Sequence, residues 1–129
     1  MKNKDGIKVV ESIYNPKQKS SFVRIQTPRG EFFAYVYLHP EDKAIATPEK
    51  GKRIAKARAM EKYYRVLRKE VSEQIKAMEN FKRNLECSHR FKKDSYFAKR
   101  LEKEIQMLYG KRLKIGLEII DVKFGAMFN

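Results

Sequence analysis

The chain has little of what most small folds use for cross-linking, interruption or membrane insertion. A single cysteine, Cys87, excludes an intramolecular disulfide and any CxxC pair or four-cysteine zinc site. Four prolines stand at positions 16, 28, 40 and 48, and none follows. Nothing after Pro48 is therefore barred from helix by a missing amide hydrogen. No segment approaches the roughly 18 apolar residues that cross a bilayer, and the N-terminal MKNKDGIKVVES has no apolar signal core. With a lone thiol, this gives the expectation of a cytoplasmic, reducing location. None of the phosphate-cradling or nucleophile-elbow patterns (GxxxxGK[ST], GxGxxG, GxSxG) occurs, so the reading is of a protein that is not an enzyme and needs no cofactor or metal.

Acids are also scarce: 16 Asp and Glu stand against 30 Lys and Arg, for a net charge of +14. A field of that sign attracts polyanions and repels basic surfaces. The chain is nonetheless no basic tail, since 42% of its 129 residues are hydrophobic and it holds eight Phe and seven Tyr. One folded domain over residues 1–129 is expected.

Residues 7–38 read as strands. IKVVESIY (7–14), SFVRIQ (21–26) and EFFAYVYL (31–38) are rich in β-branched and aromatic residues, and NPKQKS (15–20) supplies a loop. In Thr27-Pro28-Arg29-Gly30, Pro28 presets φ and Gly30 can adopt the left-handed conformation, so a tight hairpin is predicted. After a connector at 39–46, Thr47 offers an N-cap hydroxyl, Pro48 suits the first helical position and Glu49 faces the positive dipole end.

The helix so begun is predicted over 48–86. Met60, Tyr64, Leu67, Val71, Gln74, Met78, Phe81 and Leu85 alternate at spacings of four and three, a heptad seam with one polar member. At 1.5 Å per residue it would run about 60 Å, against about 36 Å for a compact domain of this size. It therefore either breaks, near Ser72, or finds a partner along the seam; that partner is a homodimer mate through Met60–Leu85, or helix two and the sheet of the same chain. A second helix reads over 95–109, with Asp94 as N-cap and Gly110 at the C-cap, and ECSHRFKK (86–93) is the turn between the two. LKIGLEI (113–119) alternates strictly and is predicted as a fourth strand over 113–123, with a bulge at Ile119-Ile120. The predicted fold class is α+β: a small antiparallel β-sheet in β-β-β-α-α-β order, packed with a long-armed helical hairpin.

The strongest functional signal lies in KGKRIAKARAMEKYYRVLRK (50–69), which holds nine basic residues and one acid, Glu61. On a helix advancing about 100° per residue, Arg58, Lys62, Arg65, Lys69 and Lys76 fall within about 60° of arc, almost opposite Met60, Leu67, Val71 and Met78. A solvated helix face ordinarily mixes acids four residues ahead of bases. A row of bases alone repels itself, and an anionic surface relieves it. Lys52, Arg53, Lys56, Arg58, Lys62, Arg65, Arg68 and Lys69 are accordingly the candidate contacts to a polyanion, and phosphates of nucleic acid, DNA or RNA, match such a row. Membrane is excluded as a partner because no apolar face is left free to insert.

A second candidate surface is the β-strand of alternating aromatics. Phe32, Ala34, Val36 and Leu38 form one face, and Phe33, Tyr35 and Tyr37 the other, where bases could stack if the face is open. Three function classes follow in order: a non-catalytic nucleic-acid-binding protein; a small accessory or inhibitory protein engaging an acidic, nucleic-acid-accommodating groove of a larger one; and a metal-dependent nuclease. The last would rest on His39, Glu41, Asp42 and Lys43 with Glu118, Asp121 and Lys123, short patterns that arise by chance in a chain this charged. Cys87 and His89 lack the further ligands that zinc needs and the orienting group that a nucleophile needs.

Overall fold

A computed structural model describes residues 6–37, 47–88 and 95–128. Three strands, β1 (Lys8–Asn15), β2 (Ser20–Thr27) and β3 (Gly30–Tyr37), precede two long helices, α1 (Pro48–Glu86) and α2 (Tyr96–Phe128). The expected α+β class and antiparallel sheet are present, in β-β-β-α-α order. Contacts along the chain divide it into two compact units, one of Met1–Arg65 with Glu118–Asn129 and the other of Val66–Leu117.

In the first unit the sheet is a meander of order β1-β2-β3, antiparallel throughout. Its turns follow their chemistry. The Asn15 side chain accepts hydrogen bonds from the backbone amides of Lys17 (3.0 Å) and Gln18 (3.3 Å), mimicking a turn of backbone. At the second turn Thr27 and Gly30 pair directly. The Thr27 hydroxyl donates to the Gly30 carbonyl at 2.7 Å and accepts from the Arg29 amide at 3.1 Å. Gly30 has a φ of 109°, a conformation that L side chains rarely adopt. One irregularity was not legible: the β1–β2 register shifts between Val9 and Glu11, a bulge that leaves Val10 unpaired.

The sheet's inner face carries Ser21, Val23, Ile25 and Thr27 of β2 with Ala34 of β3, all buried. The first turns of α1 cover this face. Thr47 caps them as expected, its hydroxyl accepting from the Lys50 amide at 3.1 Å. Along the helix Gly51, Ala55, Ala59 and Tyr63 recur every fourth residue. A Cβ on Gly51 would lie 2.5 Å from the Ser21 hydroxyl oxygen. Ala55 and Ala59 are fully buried, and the Tyr63 ring meets Phe32 with centroids 5.9 Å apart. Small side chains at the near end thus let the helix lie close on β2, and further along the Tyr63 ring makes the contact.

In the second unit α1 and α2 run antiparallel. Lys82 bonds Glu102, the Tyr109 hydroxyl donates to Glu79 at 2.7 Å, and Arg112 Nη1 donates to the Ser72 hydroxyl at 3.4 Å. Partners ascend on one helix as they descend on the other. Val71, Ile75, Leu101 and Ile105 are buried in this unit.

α1 spans 48–86 as expected, and expectations for the second helix are corrected at residues 113–123 and at Gly110. Residues 113–123 are helix, not a fourth strand, so the bulge placed at Ile119-Ile120 falls away too. α2 passes through Gly110 instead of ending there. α1 is unbroken at Ser72. The hydroxyl that caps α2 is that of Ser95, which accepts from the Ala98 amide at 3.1 Å; Asp94 and residues 89–93 of the turn lie outside the described residues. The strand reading failed because the segment satisfies both periods. Leu113, Ile115, Leu117 and Ile119 alternate, yet Ile119 and Ala126 are buried and Ile115 and Val122 half-buried, at spacings of four and three, while Leu113 and Leu117 are exposed. Propagating a helix already nucleated at Ser95 costs little.

The seam is likewise shifted. Tyr64 and Val71 are buried, Met60, Leu67, Met78 and Leu85 are half-buried, and Gln74 and Phe81 are exposed, with Ile75 buried in their place.

Two stability predictions follow. Gly51→Ala should destabilise the protein by about 1 kcal/mol despite alanine's better helix propensity, because the new methyl meets the Ser21 hydroxyl. In a Ser21→Ala background the same change should become stabilising, by up to about 1 kcal/mol; chemical denaturation of the four proteins checks both signs. The Lys82 hydrogen bond holds the Glu102 carboxyl below its ordinary value, and the same bond raises Lys82. The Glu102 contribution is therefore complete above the ordinary carboxylate range and lost as pH falls through its lowered value. Glu102→Gln should flatten the acid limb of Tm against pH.

Candidate nucleic-acid interface

The open face of the sheet lies opposite the one that α1 covers. With the ladder closing at Thr27 and Gly30, side chains of Glu31, Phe33, Tyr35 and Tyr37 alternate onto the outer face. Phe33, Tyr35 and Tyr37 are 50%, 53% and 68% exposed. The three predicted aromatics are one cluster, joined by Phe22, which pairs with Tyr35 across the ladder. Phe22 stands 4.9 Å from Tyr35 and 5.8 Å from Phe33, centroid to centroid. Phe33 meets Tyr35 edge-on at 6.2 Å, and Tyr35 and Tyr37 are nearly parallel, 14° apart at 6.5 Å. Sequence reasoning missed Phe22, although the register of the Thr27–Gly30 hairpin suffices to pair it with Tyr35.

Among the described residues, the acids of this face, Glu11 and Glu31, stand at the other end of the sheet. Arg24 sits between Glu31, at 2.9 Å, and Glu11, at 3.4 Å, so its charge is spent on them. The end that carries Tyr35 and Tyr37 borders the β1–β2 turn, where Lys17 and Lys19 are exposed.

Six of the eight predicted cations belong to the first unit. Lys56, Arg58, Lys62 and Arg65 are exposed, and Lys52 and Arg53 are half-buried. Two of the six have internal partners. Arg65 Nε lies 3.0 Å from Glu61, the sole acid of the basic stretch. Lys62 Nζ donates to the Phe33 carbonyl at 2.7 Å and sits 5.3 Å from the centre of the Phe33 ring. That second contact joins the two candidate surfaces: a cation rooted on the helix behind the sheet reaches around β3 to the aromatic face. Among the described residues, Lys52, Arg53, Lys56 and Arg58 form no ion pair. Arg68, half-buried, and Lys69, exposed, belong to the second unit and form none among its described residues.

Lys123, read from sequence only as part of an acid-x-Lys pattern, lies 3.7 Å from Glu61. With Ile54, Ala57, Arg58, Glu61, Lys62 and Ala126 it lines a cleft of about 420 Å³. Three cations surround one acid there, so the cleft keeps a positive excess.

Among the described residues no three His, Cys, Asp or Glu side chains gather as a metal site. Glu118, Asp121 and Lys123 stand on a helix, and His39, Glu41, Asp42 and Lys43 lie outside the described residues, as does His89. Cys87 is exposed. No helix among the described residues is long and apolar enough to cross a membrane. Comparisons with protein-family models, with curated proteins and with solved structures each find no match.

Lys56 and Arg58 are the clean probes of the row, being exposed and, among the described residues, in no ion pair. Lys56→Glu/Arg58→Glu should change stability by no more than about 0.5 kcal/mol. Arg65→Glu, which sets two acids four residues apart and takes a partner from Glu61, should cost more; thermal melts of both distinguish them.

Proposed function

We propose that the protein is a non-catalytic nucleic-acid-binding protein that holds phosphates with the cations of the first half of α1. The observation that carries this reading is the unmatched charge of the row: Lys52, Arg53, Lys56 and Arg58 have no ion-pair partner among the described residues, while the one acid of the stretch, Glu61, is taken by Arg65 and Lys123. Like charges set three and four residues apart on a helix cost a few tenths of a kcal/mol per pair. Phosphates laid along the helix turn that cost into attraction and release condensed counterions. Lys62 extends the row toward the sheet, and Arg68 and Lys69 extend the basic stretch into the second unit. The lone exposed thiol fits a reducing, cytoplasmic setting.

Binding by this route depends steeply on salt. On duplex DNA the logarithm of affinity should fall linearly with the logarithm of salt concentration, at a slope of about 0.9 per phosphate neutralised. Gel shifts of short oligonucleotides across a salt series measure it. Lys56→Glu/Arg58→Glu should weaken binding to every sequence alike and lower that slope by about 1.8. A protein that ignores bare oligonucleotides at physiological salt, yet captures one acidic protein partner through the same residues, would instead be an accessory or inhibitory factor. Metal-dependent cleavage of the probe, abolished by Asp121→Ala, would make it a nuclease.

A further inference from the structure

We infer that the outer face of the sheet is a stacking platform for single-stranded nucleic acid, with Tyr35 and Tyr37 taking bases while the cations of α1 hold the backbone; this rests on the reading of α1 as a phosphate-binding row. Three observations carry it.

The first is exposure. A contiguous aromatic patch left open on a small folded unit marks a binding surface, and here three successive outward side chains of β3 are at least half exposed.

The second is ring geometry. Tyr35 and Tyr37 are nearly parallel with centroids 6.5 Å apart. Near-parallel rings at successive outward positions of one strand can each take a base of the same single strand on its face. Phe22 and Phe33 back Tyr35 from two sides, so it is held in place before any ligand arrives and loses little freedom on binding.

The third is the charge around the rings. Lys62 stands over Phe33 at one end of the aromatic strip, and Lys17 and Lys19 are exposed in the turn beside Tyr37 at the other. None of the three forms an ion pair among the described residues. This rim selects the occupant. A second copy would bring the same cations against one another, and an apolar partner would have to bury them. A polyanion whose bases are free to leave their own stack satisfies rings and rim together. In a duplex the base faces are already occupied, so duplex can use the helix row but not the rings.

The test compares a fluorescently labelled single-stranded oligonucleotide, in DNA and RNA forms, with a hairpin duplex of similar length by anisotropy at fixed salt. Tyr37→Ala should weaken single-strand binding by roughly 5- to 150-fold, the range for loss of one stacked base, and leave duplex binding unchanged. Tyr37→Phe should bind as the parent does, and Tyr37→Leu, apolar but without a ring, should lose affinity as alanine does. Tyr37 is the most exposed ring of the cluster, and far-UV circular dichroism checks that each variant folds. Tyrosine emission of the parent should be quenched by the single strand and not by the duplex. If Tyr37→Ala and Tyr37→Leu bind single strands as the parent does, or lose single strand and duplex equally, the platform is wrong. Should Lys56→Glu/Arg58→Glu weaken both ligands in that case, the phosphate row survives without it. A parent protein that binds neither ligand overturns both.

Discussion

The close approach of α1 to the inner face of the sheet is the contact on which the first unit depends. It is made by residues with almost no side chain: Gly51 against Ser21, then Ala55 and Ala59, fully buried, before Tyr63 closes on Phe32. Burial of small side chains contributes little apolar area individually, but it lets backbone and sheet pack without voids. It also decides the direction of everything else. With one face of the sheet given to these small residues, the large aromatics of β3 are left on the other, and the charged arc of the helix is turned to solvent.

Electrostatics then follow from the placement of very few acids. Glu61 draws on Arg65 and Lys123, and Glu11 and Glu31 are both engaged by Arg24 at the hairpin end of the sheet. Exposed ion pairs of this kind contribute little stability. Their consequence is spatial: charge is matched within the chain around Arg24 and around Glu61, while Lys52, Arg53, Lys56 and Arg58 of α1 and Lys17 and Lys19 near Tyr37 form no ion pair among the described residues.

Much of this was legible in the residues. The Thr27–Gly30 turn, the Thr47 cap and the two faces of EFFAYVY each had a local cause, a φ that favours glycine, a hydroxyl at a helix start and a period of two, and each stands as expected; Leu38 lies outside the described residues. Failures came where a local pattern had two solutions. Residues 113–123 fit strand and helix periods equally, and continuity with the turns begun at Ser95 decided between them. The heptad seam named Gln74 where Ile75 is buried, since a real helix drifts from a seven-residue repeat. For the candidate surface, the rings and the cations could each be named, but not their meeting. That Lys62 reaches Phe33, and that Phe22 completes the ring cluster, depends on which helix face lies on which strand, information no short window contains.

Lys62 has a consequence beyond ligand binding. Among the described residues β3 is an outer strand, and outer strands offer bare carbonyls and amides to any extended chain that passes. The Lys62 ammonium occupies the Phe33 carbonyl, so an incoming strand would have to displace a charge before it could add to the ladder. Charged side chains on outer strands are a common safeguard against edge-to-edge pairing, and here the same side chain that draws the sheet and helix surfaces together also obstructs one bonding position of this edge.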